Sequence, residues 1–228
     1  MRRTVARDLA RRGLCRRRVL ACAVRLLDLG LFRVGDDRYR RQNDSYGLAT
    51  LARAHVRPAR GRVESDPPGK SGRRLTVRVE DRAACAVVRA LVRRGGDGER
   101  LLAYGEGGAW HDLHADELNA CLREHSGADL MARDFRTWHA TVPAAALADG
   151  AGAGAPSAAR RRAVRRTVAE AAAYLGDTPA VCRASYIAPR VLERYEEGVA
   201  LPPGLRGRDR VERAVPGLLD EEDGTGRA

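Results

Sequence analysis

Apolar residues recur at helical spacing along much of the chain. Val19, Leu20, Ala23, Leu26, Leu27 and Leu31 share one face, which predicts a core-facing helix running to about Gly30. The arginine-dense residues 1–18 before it read as a helix with one solvated or phosphate-facing side. Arg33 lies just past the predicted helix end, in Phe32-Arg33-Val34-Gly35, and a second helix is expected over Leu48–His55. Between 56 and 80 the pattern changes. Arg62-Val63-Glu64 and Leu75-Thr76-Val77-Arg78-Val79 are strand-like, and Pro67-Pro68-Gly69-Lys70-Ser71-Gly72 between them is a strong turn signal. This predicts a small hairpin with Lys70 near its tip.

Helical spacing then returns. Asp81 is placed to cap a helix carrying Ala84, Val87, Val88 and Leu91, and another helix is expected over Ala115–His125, stopped by Gly127. Asp134 is the expected cap of a helix carrying Arg136, Trp138 and Val142. Residues 148–160, rich in Gly and Ala, read as a flexible linker. The next helix aligns Val164, Val168, Ala171, Ala172 and Leu175 and ends at Gly176. Thr178 followed by Pro179 is an N-cap and first-turn signature, so a short helix is expected from Pro179 to about Ile187, with Tyr186 at its end. Residues 201–228 read as a loose tail. The fold class is therefore mainly α (α+β), helices with a small antiparallel β-hairpin or sheet, and residues 1–200 form the folded domain.

Charge sharpens this picture. The chain of 228 residues carries a formal net charge of +12, and its pI is near 10.4. Such a field attracts polyanions, of which nucleic acid is the commonest, although composition alone also fits a chain that is merely basic. Of the 42 basic residues 41 are arginine, and Lys70 is the lone lysine. Lysine can lose its proton where its surroundings lower its pKa, whereas arginine cannot. Lys70 is thus a candidate for proton transfer, against the alternative of a chance survivor in a turn. The five cysteines are scattered, without a CxxC pair or zinc spacing, and read as buried residues of a reducing cytoplasm. The early apolar run Val19–Val24 is broken by Arg25 and Asp28, which excludes a transmembrane helix there.

Four segments carry a resemblance. Phe32-Arg33-Val34-Gly35 with Tyr46-Gly47-Leu48-Ala49-Thr50-Leu51, then Gly69-Lys70-Ser71-Gly72, then Asp134-Phe135-Arg136-Thr137-Trp138, then Leu175 through Tyr186 (LGDTPAVCRASY) stand in order over roughly residues 1–195. Together they resemble the catalytic domain of type IB topoisomerases, in the bacterial and poxvirus-like branch. The resemblance implies that Tyr186 attacks a DNA phosphodiester and that Arg33 and Arg136 hydrogen-bond the non-bridging oxygens. It also implies that Lys70 protonates the departing 5′ oxygen. Double-stranded DNA would be the partner of a monomer, with no ATP and no obligatory metal or other cofactor.

These residue types suit the chemistry. A phenol of pKa about 10 is scarcely ionised at neutral pH and needs cations nearby, and planar guanidinium forks match phosphate oxygens. Each residue also has an ordinary alternative. Arg33 and Arg136 are two arginines among 41, and Tyr186 can simply cover a helix end. Cys182 reads as core, and His55 and His139 as packed or hydrogen-bonded side chains.

Three departures from the family pattern stand out. Asp177 occupies the position at which the family usually has His or Asn donating to the phosphate, so slowed cleavage is expected. Pro67-Pro68 replaces the usual hydrophobic strand residues before Lys70, which predicts a weakly paired hairpin. The family normally has a separate N-terminal clamp, and this chain opens close to the catalytic domain, so either the start is truncated or the protein works without its clamp, with weaker and more salt-sensitive DNA binding expected. The rival readings are a tyrosine recombinase or integrase, disfavoured by Arg133 where that family has His, and a catalytically impaired DNA-binding relative.

Overall fold

The computed structural model describes residues 1–43, 45–68, 76–147, 155–202, 204, 205 and 207–220. The described residues are mainly helical, with two small antiparallel sheets of three and two strands. The chain divides into two compact units, Met1–Phe135 and Arg136–Ala228.

The first unit is built around α2 (Arg16–Leu29), whose Val19, Cys22, Ala23, Leu26 and Leu27 are fully buried. Each of the valine and leucine side chains contributes roughly 1.5–3 kcal/mol on leaving water. α1 (Arg2–Leu9) precedes it as a separate helix, because the chain turns at Gly13, where φ is +70°. The single helix expected over 1–18 is thus two. α3 (Asp37–Asn43) follows α2, and α4 (Arg82–Arg93) and α5 (Ala115–Ser126) add Leu91, Leu118 and Leu122 to the core. Asp81 caps α4 as expected, its side chain accepting from Ala84 N at 2.7 Å, and it also pairs with Arg25 of α2 at 2.9 Å.

The expected helix at Leu48–His55 is instead two single 3₁₀ turns, Leu48–Thr50 and Arg53–His55. Its amides are used across the fold. Leu48 N and Ala49 N donate to the carbonyls of Arg33 and Val34, both at 2.7 Å, and Arg53 N donates to Glu99 O at 2.8 Å. Long-range pairing has displaced the local i→i−4 bonds of a helix.

β1 (Val56–Ala59), β2 (Arg62–Ser65) and β3 (Val77–Glu80) form one sheet in that order, with Val56 opposite Ser65 and Ser65 opposite Val77. Arg60 and Gly61, both with positive φ, make the two-residue turn between β1 and β2. β2 and β3 are the base of the expected hairpin. Pairing reaches Ser65–Val77, and Thr76 Oγ1 donates to Asp66 Oδ1 at 3.3 Å one rung further. The tip, with Lys70, lies outside the described residues. A second hairpin, β4 (Ala103–Glu106) and β5 (Ala109–Asp112), turns at Gly107-Gly108.

The loop bearing Arg33 is clamped at its neck. Gly35, with φ +82°, lies so close to Gly47 that a Cβ on Gly47 would fall 2.3 Å from Gly35 Cα, so no side chain fits there. Arg100, largely buried, grips the same loop from outside. Its guanidinium bonds the Asp37 carboxylate in the first turn of α3, the Ala49 carbonyl (3.2 Å) and Asp112 (3.1 Å). The Arg100 hydrogen bond, ahead of its charge and that of nearby His114, holds the Asp37 carboxyl below the usual aspartate range, against a smaller opposing effect of burial.

The second unit contains most of α6 (Ala132–Leu147), then α7 (Ser157–Leu175), α8 (Pro179–Ser185), α9 (Pro189–Glu197) and α10 (Arg208–Asp220). α6 begins before Asp134, whose carboxylate reaches back to Met131 N at 2.8 Å rather than capping from outside the helix. Of the expected linker, residues 148–154 lie outside the described residues, and its last residues, from Ser157, already belong to α7. The tail reading is corrected for residues 208–220. There α10 buries Val211, Val215 and Leu218 against Val142, Ala145, Val191 and Leu201.

Two tests follow from this packing. Asp81→Ala should lower unfolding free energy by about 1–2 kcal/mol, because it removes a cap, while Asp81→Asn keeps an acceptor and should lose less; denaturant titration ranks the two. The Asp37 carboxyl ionises more readily folded than unfolded. Its contribution is therefore complete above the unfolded pKa and is lost as pH falls through the folded one. The thermal midpoint should fall on acidification below the usual aspartate range, and less steeply in Asp37→Asn. Equal slopes in the two proteins would contradict the Arg100 clamp.

Candidate active site

Arg136 and Tyr186 come together in the second unit. The Arg136 side chain, only 3% exposed, projects from α6. Its Nη2 donates to the Leu175 carbonyl at 3.0 Å and to Asp177 Oδ2 at 2.8 Å. Its guanidinium carbon lies 5.0 Å from the centroid of the Tyr186 ring.

The local sequence dictates this arrangement. α7 ends because Gly176 adopts the left-handed region, with φ +66°, and Asp177 N then bonds back to Ala172 O at 2.9 Å. That reversal leaves the Leu175 carbonyl and the Asp177 carboxylate both on Arg136. Thr178 caps α8 by accepting from Val181 N at 3.3 Å, and Pro179 supplies the first helical position. α8 spans seven residues, so Tyr186 falls at its C-cap, half-buried, with its N–H on Cys182 O at 3.0 Å.

The electrostatics are those of a buried cation that cannot shed its proton. An uncompensated ion in such a place costs several kcal/mol. Here a carboxylate, a carbonyl and an aromatic face compensate it. Asp177 is therefore turned toward Arg136 rather than outward beside the Thr178 cap. One turn below Tyr186, fully buried Cys182 has its thiol pKa pushed up, first by burial and then by the Asp177 charge, with Arg136 opposing. A thiol so held is protonated and unreactive, which matches packing rather than nucleophilic service. The arrangement can hold a phenol beside a fixed cation.

The other expected residues divide. Arg33 belongs to the first unit, half-buried in the clamped loop. His55 accepts from Ala52 N at 3.3 Å and packs edge-on to Tyr46, and His139 is buried. Two contacts were not visible in sequence, that of Arg100 with the Arg33 loop and that of Thr141 with the Tyr186 carbonyl and Ala188 N. Arg100 is one arginine among many, and Thr141 sits in an apolar helical stretch without a motif. Among the described residues no cluster of His, Cys, Asp or Glu could hold a metal ion, and no described helix is long and apolar enough to cross a membrane.

A DNA topoisomerase 1B of Acanthamoeba polyphaga mimivirus is 29% identical over 189 residues, covering 78% of this chain and 55% of the relative. The chain thus spans about half the length of that relative. Residues 1–200 match the family described as the catalytic core of eukaryotic DNA topoisomerase I. That match covers Arg33, Arg136 and Tyr186 alike, and the chain belongs to this topoisomerase family.

Proposed function

We propose that the chain is a type IB DNA topoisomerase, acting as a monomer on double-stranded DNA, with Tyr186 as nucleophile. The observation that carries this reading is the Arg136–Tyr186 pair, a buried guanidinium 5.0 Å from the phenol ring within a family-matched segment. Tyr186 Oη forms a bond to phosphorus as the bond from phosphorus to the 5′ oxygen breaks. The phenol proton leaves to solvent, and Lys70 supplies one to the 5′ oxygen. The product is a 3′-phosphotyrosyl ester that retains the energy of the broken bond, so resealing needs no ATP. Arg33 and Arg136 hold the non-bridging oxygens and take the place of a metal. Rotation of the free strand before resealing relaxes supercoils.

Asp177 is the residue that sets this chain apart. Its carboxylate holds an Arg136 nitrogen, at 2.8 Å, that a phosphate also requires. Two unit charges of like sign about 4 Å apart, at an effective dielectric near 20, oppose each other by roughly 4 kcal/mol as an upper guide. Asp177 therefore slows cleavage.

Two measurements test the reading. Supercoiled plasmid should be relaxed in EDTA without ATP, and Tyr186→Phe should abolish relaxation while DNA binding persists. DNA binding without relaxation by the unaltered chain would instead identify an impaired relative. Asp177→Asn restores a donor and removes the competing charge. It should raise the single-turnover cleavage rate by about 10- to 100-fold, the scale of one oxyanion-type donor, and an unchanged rate would remove Asp177 from the account.

A further inference from the structure

The backbone around Tyr186 is held by one side chain from a different helix. Thr141, on α6 and only 2% exposed, accepts a hydrogen bond from Ala188 N at 3.0 Å and donates to the Tyr186 carbonyl at 3.4 Å. The three-residue joint between α8 and α9 is thus closed by a hydroxyl. Within the joint, Tyr186 and Ile187 both donate to the same acceptor, Cys182 O, at 3.0 and 3.1 Å. Pro189 starts α9 and has no N–H to give. The Tyr186 carbonyl and the Ala188 N–H therefore face Thr141, and its hydroxyl meets both.

This places two functions on one helix. Arg136 lies against the Tyr186 ring, and Thr141, five positions later, holds the Tyr186 main chain. A threonine within a helix commonly turns its hydroxyl to its own preceding turn. Here the hydroxyl serves a joint distant in sequence, and valine could replace its volume but not its bonds.

We infer that Thr141 is a positioning residue for the nucleophile. It fixes the Tyr186 backbone to the same helix that carries Arg136, so that the phenol and the phosphate-binding cation keep a constant separation through cleavage and resealing. This rests on the reading of Tyr186 as the nucleophile. Misplacement of a reacting group by about 1 Å costs on the order of 100-fold in rate. Loss of both Thr141 bonds should cost part of that range.

The test uses the full chain with Thr141→Val, which keeps shape and removes both bonds, and Thr141→Ser, which keeps the hydroxyl. Thr141→Ala serves if the valine variant does not fold. Single-turnover cleavage and resealing of a labelled duplex are measured beside DNA affinity and amide exchange at Ala188. Thr141→Val should slow cleavage and resealing by the same factor, about 10- to 100-fold. The covalent fraction at equilibrium and DNA affinity should be unchanged, and Ala188 exchange accelerated. Thr141→Ser should restore rates to within about threefold of wild type and restore Ala188 protection, as expected when the hydroxyl rather than the packing is needed. Wild-type cleavage rates in a folded Thr141→Val, a serine variant as slow as the valine one, or identical Ala188 exchange in all three would each overturn the role. A wild-type chain forming no Tyr186 adduct would defeat the nucleophile reading itself, and this inference with it. Normal wild-type cleavage with an indifferent Thr141→Val would overturn the role of Thr141 alone.

Discussion

A guanidinium that is almost wholly out of water needs compensating partners, and that requirement ties Arg136 to two helix ends of the second unit. Its charge is permanent, so the fold cannot escape the cost by neutralising it. The compensation comes from the end of one helix and the end of another. Leu175 O and Asp177 Oδ2 are delivered by the left-handed turn at Gly176, and the aromatic face is delivered by the C-cap of α8. Moving any of these strands a charge. The same demand that stabilises the cation therefore fixes the place of the phenol, and under the proposed function a structural need and a catalytic one share a single set of contacts. Asp177 is the part of that set in which the two needs oppose each other. It compensates the cation and at the same time occupies it.

The first unit solves a comparable problem with backbone rather than burial. Arg33 lies on a loop whose two ends are tied by amide–carbonyl bonds from Leu48 and Ala49, at a neck that only glycine at 47 permits. Arg100 then grips the outgoing and the returning chain through Asp37 and Ala49. A long arginine is flexible in isolation, so its usefulness against a phosphate depends on how little the backbone beneath it can move. In both units a glycine in the left-handed region, Gly35 beside Arg33 and Gly176 opposite Arg136, sets the backbone that meets the arginine.

Much of this was legible in the sequence, and the limits have physical causes. α2, α4, α7 and α8 were readable because their buried faces repeat at helical spacing and caps such as Asp81 and Thr178 mark their ends. Leu48–His55 misled because its amides are spent on Arg33, Val34 and Glu99, partners that no local pattern reveals. β2 and β3 were readable as a hairpin, whereas β1, β4 and β5, four residues each, are too short for alternation to stand out, although Arg60-Gly61 and Gly107-Gly108 were available as turn signals. α10 was obscured by its charges and by Pro216, yet Val211, Val215 and Leu218 keep helical spacing. At the site, motif order pointed to Arg136 and Tyr186. The partners that hold them were not readable, since Thr141 meets its acceptor and donor 45 and 47 residues away.

Under the proposed function, Tyr186 carries the DNA during the reaction. This is tested most directly by trapping the covalent complex on a nicked or suicide duplex, digesting it with protease and locating the modified residue by mass spectrometry. The expected product is a 3′-phosphate end esterified to Tyr186, with a free 5′-hydroxyl on the released strand. An adduct on any other residue, or a 5′-linked one, would contradict it.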